Sequence, residues 1–265
     1  MAFSFIQITD HHLCESEAHL RLGFSPAYAF RAVLRHIAEH VADRADFIIS
    51  TGDLIEPSTD RAYQNLRQML DVKDQAPAAP GPYAVSIEGL RRFPLYFLPG
   101  NHDDREVFGR NLFPPTPPAA LLNTSFMHQD IQFICLDWGT DAKGVIYPET
   151  LDFLKRALHN SMPSIVIMHH HLAPLGRQWI DDFVPAEVDR FWEAVTGQNI
   201  LGIFCGHAHT TYELTVRDIP VFGLRSTAFP FAPLDKLLMC LLPPHYRLIT
   251  VEDGRLHTQI FEVPL

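Results

Sequence analysis

The chain has 265 residues, 47% of them hydrophobic and 20% charged, with a formal net charge of -10 when histidine is neutral. That balance fits a folded, soluble protein. It disfavours a chain that coats nucleic acid through a broad basic face, because such binding rests on Lys and Arg neutralising phosphates.

The first predicted strand covers 3–9 (FSFIQIT) and runs straight into Asp10, His11 and His12. Charged and imidazole residues arrive too early for a secretory signal, and no apolar run reaches the roughly 18 residues of a membrane span. The expectation is a cytoplasmic protein without a membrane partner. Ser25 and Pro26 then form an N-cap and first turn, and Phe30, Val33, Leu34, Ile37 and Val41 follow the stripe of an amphipathic helix. A strand at 46–50 leads to Thr51, Gly52 and Asp53, and a second helix covers 59–72.

A strand at 95–99 leads to Gly100, Asn101, His102 and Asp103, followed by a strand at 131–137. A helix opens at Pro148 with Leu151, Leu154 and Leu158 on one face, and a strand at 164–168 ends in His169, His170 and His171. A further helix is expected from Pro185, burying Val188, Phe191, Trp192 and Val195 and stopping at Gly197. Strands at 200–205 and 220–224 follow, the first ending in Gly206, His207, Ala208 and His209. Proline-rich segments at 74–82 and 113–120 read as surface loops, too short to divide domains. Strands alternating with helices predict an α/β fold, read as a single domain over 1–265. The cysteines, Cys14, Cys135, Cys205 and Cys240, are far apart and read as reduced thiols, with Cys205 in core packing.

Metal-binding side chains arrive at the carboxyl end of one strand after another, where α/β sheets place their sites. Asp with neutral imidazole suits first-row divalent ions, so the set points to zinc, manganese or iron. Spacing of i, i+2 in Asp10-x-His12 and His207-x-His209 would let two side chains of an extended segment project to one side. The glycines before Asp53, Asn101 and His207 would let the backbone turn sharply. One ion needs about four protein groups, and these motifs offer more, so two ions sharing a carboxylate fit the count better.

The ordered series Asp-x-His, Gly-Asp, Gly-Asn-His-Asp, His and Gly-His-x-His resembles the calcineurin-like metallophosphoesterase superfamily. The strings GNHDDR (100–105) and HHHLAP (169–174) resemble its class III cyclic-nucleotide phosphodiesterases. The resemblance implies a four-layer α/β/β/α sandwich and a metal-dependent phosphodiesterase acting on small phosphodiesters. It places 3′,5′-cyclic nucleotides such as cyclic AMP first, with attack by a metal-activated hydroxide. It implies one ion held by Asp10, His12, Asp53 and His209, and a second held by Asp53, Asn101, His169 and His207. The ions would be iron, manganese, zinc or cobalt. His102 would contact the phosphate and protonate the leaving group, with Asp53 and Asn101 completing the catalytic set.

A phosphomonoesterase, a glycerophosphodiester or nucleic-acid phosphodiesterase, and a catalytically silent scaffold are the alternatives. The chain departs from the pattern after Asp53, where it reads Leu54, Ile55, Glu56 and Pro57 and relatives often carry a second Asp, and at Leu172 and Ala173, where they commonly carry prolines.

Some residues keep two readings. His11 and His170 face solvent or hydrogen-bond beside the ligands, while His171 and Asp103 orient ligands. Arg105 contacts substrate phosphate or is a solvated surface group. STAFPFAP (226–233) caps the site and stacks on a base, or is a turn packed on the sheet. KLLMCLLPP (236–244) is a strand or the interface of a homodimer.

Overall fold

A computed structural model of the chain describes residues 2–21, 23–72, 83–87, 91–113, 121–232, 234–240 and 242–265. Its strands alternate between two apolar faces. In β1 (Ala2–Ile8), Phe3 and Phe5 join one buried cluster, while Ile6 and Ile8 join another. In β7 (Ser164–Met168), Ile165 and Ile167 share the cluster of Phe5, while Val166 and Met168 face the other way. A strand apolar on both sides must be covered on both sides.

That requirement gives four layers. One six-stranded sheet has the order β12-β11-β1-β2-β4-β3, and the other β5-β6-β7-β8-β10-β9. The first contains β2 (Phe47–Ser50), β3 (Tyr83–Ile87), β4 (Arg91–Phe97), β11 (His245–Glu252) and β12 (Arg255–Glu262). The second contains β5 (Thr124–His128), β6 (Ile131–Leu136), β8 (Ile200–Cys205), β9 (Tyr212–Val216) and β10 (Ile219–Gly223). Each sheet has parallel inner strands and antiparallel flanks. The sheets meet through an aromatic core including Phe5, Phe47, Phe133 and Phe204. Gln7 joins them at the carboxyl ends, donating from Nε2 to Thr51 Oγ1 at 3.2 Å and to the Cys205 carbonyl at 3.0 Å.

Helices α1 (Pro26–His40), α2 (Asp60–Met69) and α3 (Arg105–Leu112) flank the first sheet. Helix α4 (Pro148–Leu158) and α6 (Val188–Val195) cover the second, with the short α5 (Gln178–Asp181) near the site. Ser25 caps α1 by accepting from the Tyr28 amide, and Thr59 caps α2 by accepting from the Ala62 amide.

Some expectations require correction. The helix expected from Pro185 starts at Val188, because Pro185 opens a turn whose carbonyl accepts from the Val188 amide. Strands β5, β9, β11 and β12 were not foreseen, and neither was β3. The 236–244 segment holds only an isolated bridge from Met239 to Phe231 among its described residues, so it is not a strand. Apart from Phe113, the proline-rich segments lie outside the described residues.

Candidate active site

The backbone changes hand where the strands stop. Asp10 (φ 54°), His12 (φ 44°), Asp53 (φ 51°), His207 (φ 67°) and His209 (φ 47°) all occupy the left-handed region. Non-glycine residues rarely go there, and such conformations cluster at sites where surrounding structure enforces them. The extended i, i+2 geometry expected for Asp10-x-His12 and His207-x-His209 is therefore wrong, and left-handed turns bring the pairs together instead. Of the preceding glycines only Gly52 has a positive φ, 99°. Gly100 and Gly206 serve close approach: a Cβ on Gly100 would lie 2.1 Å from Asp53 Oδ1, and one on Gly206 2.2 Å from Thr9 Oγ1.

Asp10, His12, Asp53 and His209 form a buried basket whose ligand atoms all lie within 4.8 Å of one another. His12 Nε2 and His209 Nε2 face each other at 3.0 Å. The opposite nitrogen of each ring is already engaged, His12 Nδ1 with Glu56 Oε2 at 2.9 Å and His209 Nδ1 with the Phe229 carbonyl at 2.7 Å. Both partners only accept, so in neutral rings both Nε2 atoms carry bare lone pairs. Asp10 Oδ1 and Asp53 Oδ2 add further acceptors, 3.2 Å from His209 Nε2 and 3.6 Å from His12 Nε2.

A second basket shares Asp53. His169 Nδ1 donates to the Thr51 carbonyl at 2.8 Å, leaving Nε2 3.1 Å from Asn101 Oδ1 and 3.3 Å from Asp53 Oδ2. His207 Nδ1 lies 2.9 Å from the same Asn101 oxygen. Lone pairs converging on lone pairs repel unless a cation lies among them, so the donor set fits metal ions.

The titration behaviour agrees. Burial would lower the His169 imidazole, but the Asp53 carboxylate raises its pKa to about 9, so a proton supplies positive charge. Burial would raise Asp53, yet His169 and His12 hold it well below the usual carboxylate range.

Beside the baskets stands a residue whose role the sequence does not disclose. Glu56 accepts from His12 Nδ1 and from His102 Nδ1, the latter at 3.3 Å, and pairs with Arg21. Burial opposes its charge, but the two imidazoles bring its pKa down to about 2. The His102 side chain is 39% exposed toward the cavity, with its backbone amide donating to Asp53 Oδ1 at 2.9 Å. Burial alone would lower its imidazole, but the Glu56 and Asp53 carboxylates raise its pKa above the ordinary histidine value.

Other residues stand behind the site. Neither reading of Arg105 holds: it is buried, forks onto both Asp137 oxygens at 2.8 and 2.5 Å, and donates to the Gly100 carbonyl at 2.6 Å. Asp103 braces the same loop by accepting from the Gly100 and Leu54 amides and from the Tyr63 hydroxyl. His11 is buried between Thr227 and Ser50, and His170 and His171 are buried with Nε2 on the Asp141 and Ile180 carbonyls. None of the three faces solvent.

Above the baskets opens a cavity of about 650 Å³. Arg21, Glu56 and His102 stand with the donors at its floor, while Trp179, Phe183, Phe231, Leu237, Leu238 and Met239 build its wall. Phe229 and Phe231 from the 226–233 segment and Leu237, Leu238 and Met239 from the 236–244 segment thus border the site.

A sandwich of two α/β sheets with carboxylates and imidazoles gathered at one end defines a metallohydrolase type of protein. The family model for calcineurin-like phosphoesterases matches residues 3–211, and the chain belongs to that family. The "Probable cyclic nucleotide phosphodiesterase" of Colwellia psychrerythraea is 28% identical, covering 97% of this chain and 94% of that protein. The "3′,5′-cyclic adenosine monophosphate phosphodiesterase CpdA" of Vibrio vulnificus is 26% identical, covering 98% of this chain and 89% of that one. Among solved structures, a dimetal phosphatase from Danio rerio superposes with a TM-score of 0.66 at 12% identity, covering 99% of both chains, which supports the fold.

Proposed function

We propose that the protein, acting as a single domain in the cytoplasm, hydrolyses small phosphodiesters at a two-ion centre, with 3′,5′-cyclic nucleotides and cyclic AMP first among them. The observation that carries this reading is the pair of baskets sharing Asp53, in which four imidazoles, two carboxylates and the Asn101 side-chain oxygen converge on one another. The names borne by the relatives support the substrate. Among the described residues no helix is long and apolar enough to cross a membrane.

Asp10, His12, Asp53 and His209 would hold one ion, and Asp53, Asn101, His169 and His207 the other, with iron, manganese, zinc or cobalt matching the donors. Bound ions supply an activated water and neutralise charge on the phosphate oxygens. The chain's own groups do the rest. Glu56 and the Phe229 carbonyl fix the His12 and His209 rings through Nδ1, so their Nε2 atoms face the reaction space. His102, exposed at the floor and holding its proton above the ordinary histidine value, donates it to the departing alkoxide, a general-acid role of about 10²–10⁴ in rate.

The test is metal analysis joined to turnover of bis(p-nitrophenyl) phosphate, p-nitrophenyl phosphate and cyclic AMP. Two ions per chain, loss of activity on chelation and preference for the diesters are expected. Cyclic AMP turnover no better than background would remove it as the substrate, and a metal-loaded protein inert to every diester would reject the enzyme reading.

A further inference from the structure

The cavity is uneven in chemistry. Its ionisable side chains lie at the floor, where Arg21 and Glu56 neutralise each other. Its wall is apolar, and two of its leucines, Leu237 and Leu238, are 59% and 48% exposed. Large apolar groups exposed beside a reaction centre are placed to be covered by a ligand. We propose that this wall, centred on Trp179 and Phe183 with Leu237 and Leu238 at its lip, binds the substrate's nucleobase by stacking and apolar contact without reading the base's hydrogen-bonding edge. The proposal deepens the phosphodiesterase reading and rests on it for the floor alone.

The aromatic rings divide into two groups. Phe229 is 4% exposed and packs against the imidazoles of His12 and His209, with ring centroids 4.9 and 5.0 Å away. Phe231 stacks on His209 at 4.5 Å. Both pack against the metal-site histidines, and Phe229, almost wholly buried, has little face left for a ligand.

Trp179 stands out from them, edge-on to Phe231 at 5.4 Å and 87°. Its Nε1–H already donates to the Leu234 carbonyl at 2.9 Å, which fixes the ring and removes its hydrogen-bonding atom. Phe183, also part of the wall, lies 5.9 Å from the His207 ring. Among the described residues that build the wall, no side chain offers a free N–H or O–H.

Selectivity follows from that chemistry. A site that hydrogen-bonds a substrate group rejects an analogue lacking it by roughly 10⁴–10⁵, whereas an apolar pocket discriminates only about 10–200-fold. Stacking tolerates every base, because each has a π-face. Adenine and guanine should therefore be accepted alike, and substrates without an aromatic substituent should bind poorly.

The experiment is calorimetric binding of 5′-AMP, 5′-GMP and ribose 5-phosphate to the manganese-loaded full chain, alongside turnover of bis(p-nitrophenyl) phosphate. The two nucleotides should bind within about tenfold of each other and at least roughly tenfold more tightly than ribose 5-phosphate. Trp179→Ala and Phe183→Ala should weaken both nucleotides by roughly tenfold or more, with a much smaller change for ribose 5-phosphate. Leu237→Ser, at a largely exposed position where folding is not at stake, should weaken them in the same sense.

Preference for one base beyond about 10³, ribose 5-phosphate binding as tightly as the nucleotides, or variants indistinguishable from the parent would each overturn the proposal. Turnover separates the two readings. Nucleotide binding by the wall without hydrolysis of any diester would reject the enzyme and keep the wall, and the reverse would do the opposite.

Discussion

Glu56 gathers what the sequence leaves scattered: His12, His102 and Arg21 all meet its carboxylate. A carboxylate that both orients a metal-site imidazole and raises the pKa of a proton donor couples the two tasks in one residue. As the proposed general acid His102 has to be protonated, and its raised pKa carries the proton to higher pH than an ordinary histidine would, with activity expected to fall as pH climbs past that value. Glu56→Gln removes the charge and keeps the shape. The falling limb of kcat/KM should then move to lower pH, with kcat reduced about 10–100-fold. A pH–rate profile on a diester with a poor leaving group measures both effects, and an unmoved limb would remove Glu56 from the proton donor's control.

At the scale of elements, the strand ends are set by how closely three loops pass one another. Gly100 leaves room for Asp53, since a Cβ there would sit 2.1 Å from its Oδ1. Gly100→Ala should displace the shared carboxylate by a fraction of its own width. The expected result is weakened metal binding and a loss of roughly 10² in kcat/KM, with circular dichroism little changed. Metal titration and steady-state kinetics check this.

Much of this layer is legible in the sequence. The inner strands are continuous apolar runs, and Gly, Asp, Asn and His follow them at once, so element and site announce each other. The antiparallel flanks are less legible because they alternate polar and apolar, as in β5, β9 and β12. A usable signal did exist for one hairpin: Asp253-Gly254 joins β11 to β12 with φ of 50° and 72°, the two-residue turn such dipeptides favour. Trp179 had no such signal, and Glu56 had only its place three residues after Asp53. What makes them part of the site is proximity to residues far away in the chain, and no local periodicity records that.

Across the whole molecule, burial holds several imidazoles neutral. His11, His170 and His245 are each pushed down to about 3, and His171 to about 4, chiefly by burial. His245 Nε2 accepts from the Arg225 amide at 2.9 Å, a role it loses when protonated. Unfolded histidine titrates near 6.5, so below that pH the unfolded chain binds protons that the folded one refuses. Stability should therefore fall as pH drops from about 6.5, by about 2 kcal/mol at pH 5 for each such residue. His169, raised to about 9, acts in the opposite sense and offsets part of the loss. Urea unfolding of metal-free protein at pH 7 and pH 5 measures the slope, and a midpoint that does not move would contradict the neutral assignment.

The donors also straddle the molecule. Asp10, His12, Asp53 and Asn101 follow strands of one sheet, and His169, His207 and His209 follow strands of the other. Cations seated there would act as a clasp across the seam between the two halves, adding to Gln7 a fastening that the aromatic filling lacks at that end. Saturating metal at a hundred times its dissociation constant should raise unfolding free energy by about 2.7 kcal/mol for each ion, read as a higher melting temperature that chelator reverses. Prying the halves apart and emptying the centre would then be one event, so whatever loosens the seam also disarms the chemistry.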